Sequence, residues 1–119
     1  MRDPHKLEAF QLADQLAVAV YKHTKNMPSD ERFGLTMQMR RAAVSVPSNI
    51  VEGCSRHTEA DYLHFLNIAL GSACELEYQL SLALRLSYLA ESQHAPVAEL
   101  AARTAKALNG LIRALRNKA

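Results

Sequence analysis

No stretch of this 119-residue chain holds the roughly 18 uninterrupted apolar residues that a membrane helix needs. The opening MRDPHKLEAF carries acids where a signal peptide would carry an apolar run, so a cytoplasmic protein is expected. Four glycines and four prolines beside 49% hydrophobic residues exclude a disordered chain and fit one globular domain spanning residues 1–119. Charge of one sign is also scarce. Fourteen Lys and Arg against twelve Asp and Glu leave +2, too little to announce a polyanion partner unless the basic residues are local. There is no glycine-rich phosphate loop, no nucleophile elbow and no pair of carboxylates set for joint work, so catalysis is not expected and no cofactor is implied.

Cysteine is nearly absent. Cys54 and Cys74 are the only two. With a turn near residues 56–58, Cys74 lies about 16 residues along the next helix at ~1.5 Å each, too far for a bridge to Cys54. Both are expected reduced, Cys74 as a small core residue. Cys54, His57, Asp61 and His64 have a spacing that resembles zinc ligation, but Asp61 lies where it would cap a helix, and no metal is assigned.

What remains is helix. Asp3-Pro4 marks a start, with Leu7, Phe10, Ala13, Ala17 and Val20 as one face. Pro28 ends that helix near Asn26, and Ser29 or Asp30 caps a second whose inward face runs Leu35, Met39, Ala42, Val46 and Ile50 to Gly53. Thr58 and Asp61 form a capping box for a third that reaches about Tyr88. Pro96 stands near the start of a fourth, with Val97, Ala101, Leu108, Leu111 and Leu115 on one face. No strand-like alternation competes. Short connections make neighbours antiparallel, so the expected fold is all-α, an up-down-up-down four-helix bundle.

Between Tyr62 and Leu89, 18 of 28 residues are apolar or tyrosine, where one buried face would need about 12. Leu66, Ala69, Ala73, Leu76, Leu80 and Ala83 fill the inner seam. Leu63, Leu70, Leu82, Leu84 and Leu89 fall partly outside it, and a contiguous wet patch of that kind predicts self-association. In the second helix Pro47 removes one hydrogen bond. Small neighbours such as Ala42, Ser45 and Asn49 then permit close approach to a similar patch, Gly71 to Ala73.

Local basic residues do exist. Past Glu99 the chain contains Arg103, Lys106, Arg113, Arg116 and Lys118 and no acid. At 100° per residue Lys106, Arg113 and Arg116 share one outer arc with Arg103 beside it, a stripe suited to a phosphate backbone. Complementing the helix macrodipole is the plainer role for the same cations. Arg40 and Arg41 point about 100° apart, so one is expected to pair internally with Glu52, Glu75 or Glu77. Arg41 is the phosphate candidate.

ERFGLTMQMRRAAVSVPSNIVEG at 31–53, FLNIALGSACELEYQL at 65–80 and LNGLIRALRNK at 108–118 closely resemble the small bacterial four-helix bundle proteins named for intervening sequences of large ribosomal RNA genes. Those are related to the accessory variability proteins of diversity-generating retroelements. The resemblance implies a homopentamer of bundles without known catalytic activity, and its retroelement relatives bind nucleic acid and a reverse transcriptase. Taken together, a non-catalytic, pentameric module is expected that binds RNA or DNA through Arg41, Arg103, Lys106, Arg113 and Arg116. The alternative is a protein-interaction scaffold, for instance for a reverse transcriptase, with no nucleic-acid contact.

Overall fold

A computed structural model of the chain describes residues 2–118. Four helices form, α1 (Glu8–His23), α2 (Leu35–Cys54), α3 (Glu59–Arg85) and α4 (Glu91–Arg116), and no strand occurs among the described residues. Each helix packs on the next and α4 returns to α1, while the diagonal pairs do not meet. Cross-contacts fix the directions. Arg40 near the start of α2 reaches Thr24 at the end of α1, Ser45 meets Ser72 in mid-helix, and Lys118 beyond α4 reaches Glu59 at the start of α3. The bundle is therefore up-down-up-down, 47 Å long and about 20 Å across.

The helix ends follow from side-chain chemistry. Asp3 Oδ1 accepts from the His5 N–H at 3.0 Å, but the turn it caps is a short 3₁₀ stretch, Pro4–Lys6, that breaks at extended Leu7 before α1 begins. A second 3₁₀ turn, Ser29–Glu31, likewise precedes α2, so neither Ser29 nor Asp30 caps that helix. Glu31 does the capping instead: one carboxylate oxygen accepts from the Leu35 N–H and the other from Tyr88 Oη, both at 3.0 Å. That bond holds Tyr88 protonated above the ordinary tyrosine range. Thr58 Oγ1 accepts from the Asp61 N–H, which is half of the expected capping box; the return bond to the Asp61 side chain is not formed among the described residues.

At the end of α3, three residues before the expected limit, Ser87 adopts φ 61°, with the Tyr88 and Ser87 N–H groups donating to the carbonyls of Ala83 and Leu84. This closing motif normally uses glycine, because a Cβ is strained in the left-handed region. Ser87→Gly is expected to stabilise the fold by about 1 kcal/mol. A rise in the urea midpoint with unchanged slope is the check.

Core formation follows the predicted faces of α2 and of the α3 seam, all of whose members are buried. Gly53 contributes by its lack of a side chain. A Cβ there would stand 3.1 Å from Phe65 Cβ and 3.2 Å from the Tyr62 ring, so glycine lets the end of α2 close on α3. The two small-residue patches meet within the chain through Ser45 Oγ and Ser72 Oγ, 2.9 Å apart. Asn49 donates to the Ser45 carbonyl rather than to that of Ala43, which Pro47 leaves without its helical partner.

Three expectations are corrected. On α1 the buried face is Ala9, Leu12, Ala13, Leu16 and Val20, with Leu7, Phe10 and Ala17 only half-buried. Cys74 is exposed and Cys54 is the buried thiol, because the inward register of α3 passes through Ala73 and Leu76. The α3 surplus is covered only in part: Leu89 is buried and Leu63, Leu70, Leu82 and Leu84 are half-buried, since α3 is flanked by both α2 and α4, while Ile68, Tyr78 and Leu86 stay exposed. Exposed apolar side chains occur on other elements as well. Met37, Val44 and Val51 recur every seven residues on α2, and Val18 and Tyr21 are exposed on α1.

Candidate nucleic-acid interface

α4 places its cations by simple geometry. Val97, Ala101, Thr104, Leu108 and Ile112 turn inward, which leaves positions 103, 106, 113 and 116 outside. Arg103, Lys106, Arg113 and Arg116 are all exposed, and none makes an ion pair or a side-chain hydrogen bond among the described residues. Lys118 differs, its Nζ lying 3.7 Å from Glu59 Oε1. Arg103 and Lys106 rim a groove of about 570 Å³ between α1 and α4, floored by Leu7, Leu12 and Leu111, with Glu8 on the α1 side. Arg113 and Arg116 continue the line beyond that groove toward the C-terminal end of α4.

Arg41 is not brought to this stripe. It is exposed on α2 and lines a separate cleft against α3 with Gln38, Ser45, Ser72 and Glu75, and α2 lies diagonal to α4. Of the arginine pair, Arg40 is the internal one, but with other partners than the expected carboxylates. Its Nε donates to Thr24 Oγ1 at 3.0 Å, Nη2 to the Tyr21 carbonyl at 3.4 Å, and the guanidinium stands 4.7 Å over the Tyr21 ring. Glu52 is held instead by Arg56, four residues on and just past the end of α2.

Two cations that the helix pattern did not single out gather at the end of the bundle where α4 finishes. Arg2 Nη1 donates to the Arg56 carbonyl at 3.0 Å and its guanidinium stacks 4.1 Å over Tyr62, while Arg56 lies 4.9 Å over Phe65. With Ser55 and His57 they line a groove of about 560 Å³. Both sit outside regular helix, where periodicity is silent; the only cue is the run Arg56-His57 at a turn.

The zinc-like spacing is not a site in space. Asp61 follows the Thr58 cap, His64 packs edge-on at 5.3 Å against Phe65, and among the described residues no three His, Cys, Asp or Glu side chains gather round one point. Burial raises the Cys54 thiol above its ordinary range, against a bond to Tyr62 that lowers it, so this cysteine is not a poised nucleophile. Burial also pushes Tyr62 up to about 12.

Fold and surface define an all-helical four-helix bundle with one basic helix. The chain belongs to the family of 23S rRNA-intervening sequence proteins, whose model matches residues 5–110. A crystal structure from Bacteroides thetaiotaomicron, of a protein with unknown function from the S23 ribosomal protein family, is similar at 27% identity and TM-score 0.81. The likeness covers 88% of this chain and 95% of that one. Comparison with curated proteins gives no match. Among the described residues no helix is long and apolar enough to cross a membrane.

Proposed function

We propose that this chain is a non-catalytic, cytoplasmic module that assembles with copies of itself and holds a nucleic acid against α4. The observation that carries this reading is the row Arg103, Lys106, Arg113 and Arg116, exposed and without an ion pair or side-chain hydrogen bond among the described residues, on a helix that has no acid past Glu99. Among the described residues none of the four has a carboxylate in ion-pair range, which leaves their attraction for phosphates unopposed.

Assembly has separate support. Met37, Val44 and Val51 share one stripe of α2 at the seven-residue interval of a helix–helix seam, and leaving that stripe wet is unfavourable. Resemblance to the bundle family, including the retroelement accessory proteins, favours five copies, which would repeat the basic helix five times around one axis.

Because the family is named for 23S rRNA intervening sequences, RNA is the first probe and DNA the second. Gel mobility of each should shift with the protein, and the shift should weaken steeply as salt rises. No shift at low salt, together with a protein that co-purifies at fixed stoichiometry after nuclease treatment, would overturn the nucleic-acid reading in favour of a protein scaffold.

A further inference from the structure

We propose that the groove between α1 and α4 seats one unstacked base of a single-stranded nucleic acid, while the cations on its α4 wall hold the neighbouring phosphates. The inference rests on the nucleic-acid reading above and narrows it to a strand whose bases are free.

Gly110 is the pointer. It lines the groove from the interior of α4, and a Cβ built on it would meet nothing within 4 Å. Its φ is not positive, so the backbone does not demand glycine either. Gly53 is the contrast, since a Cβ there would press on Phe65 and Tyr62. Glycine inside a helix costs stability relative to alanine. The fold alone would therefore be better served by a side chain at position 110. What bare backbone offers there is close approach to something outside the chain.

The lining says what kind of occupant fits. Leu7, Leu12, Ala107 and Leu111 give the groove an apolar floor, and its volume of about 570 Å³ is within the range of pockets that enclose small organic groups. Arg103 and Lys106 stand on the α4 side, and Arg113 and Arg116 carry the cations on along the helix. From Arg103 to Arg116 is about 20 Å at ~1.5 Å per residue, enough to follow several phosphates of one strand. An occupant matched to both features is apolar in the groove and anionic along its rim. A duplex meets only the second requirement, because its bases are stacked inside and its surface is phosphate and sugar. A single strand meets both, by turning a base onto the floor while its backbone follows the cations. Glu8, the acid in the lining, lies on the α1 side and is exposed, with no ion pair among the described residues. There it is placed to accept from the amino edge of a seated base.

The test is fluorescence anisotropy on the full chain at about 0.1 M salt with three probes of equal length: a single-stranded RNA, the same strand paired with its complement, and a strand of abasic sites carrying the same phosphates. The parent should bind the intact single strand about fivefold more tightly than the abasic one, the low end of what one seated base contributes, because the floor is aliphatic rather than aromatic. Gly110→Leu fills the groove and should melt no lower than the parent, since leucine is the better helix former. It should lose that fivefold for the single strand while keeping the parent's salt dependence and its affinity for the duplex. Equal affinity of the parent for intact and abasic strands, or a Gly110→Leu chain that binds the single strand like the parent, would overturn the seating of a base and leave the charge-based reading of α4 standing. Failure of all three probes to bind at low salt would overturn both.

Discussion

Replacing Arg103, Lys106, Arg113 and Arg116 together by glutamine is expected to lower RNA affinity on the order of 10³-fold at about 0.1 M salt. Each phosphate neutralised on a duplex contributes roughly 0.9 to the slope of log affinity against log salt, hence roughly 0.9 of a decade at 0.1 M, and four cations are removed. The fold should survive, because all four side chains are exposed and hold no partner among the described residues. The slope itself should flatten, which distinguishes lost phosphate contacts from a general loss of protein. Arg41→Gln alone should change affinity far less, since α2 stands diagonal to α4 and Arg41 faces a different cleft. Unchanged affinity in the fourfold variant would remove α4 from the account.

The second large effect concerns assembly. Val44→Glu combined with Val51→Glu should convert the assembly to single chains while leaving the helical content intact. The two valines are 40% and 46% exposed in the isolated bundle, so a carboxylate at either position stays wet in the monomer. Buried in a contact between copies, each unpaired carboxylate would cost several kcal/mol. Circular dichroism and sedimentation together check this. Retention of the parent mass by the double variant would show that the Met37–Val44–Val51 stripe is not the contact.

α2 could be read from sequence because Leu35, Met39, Ala42, Val46 and Ile50 form the longer of its two apolar rows, and that row is the buried one, whereas Met37, Val44 and Val51 make the shorter, exposed row. α1 could not. AFQLADQLAVAV carries small or apolar residues on more than one face, so spacing admits two registers, and packing against α2 and α4 selects the one through Leu12 and Leu16. The neighbours Ala73 and Cys74 posed the same ambiguity, as either fits a core by size. Leu63, Leu70, Leu82 and Leu84 looked superfluous because a single-helix count ignores a helix flanked on both sides. The α4 cations were legible for the opposite reason: absence of acids after Glu99 is a property of the chain, and no tertiary contact alters it. Separation of Arg41 from them needed the ring order of the helices.

Native mass spectrometry of the untagged chain at micromolar concentration tests the central claim of self-assembly most directly. The expected result is a single species at a multiple of 13.2 kDa, fivefold if the family resemblance holds. A lone 13.2 kDa species across that concentration range would contradict it.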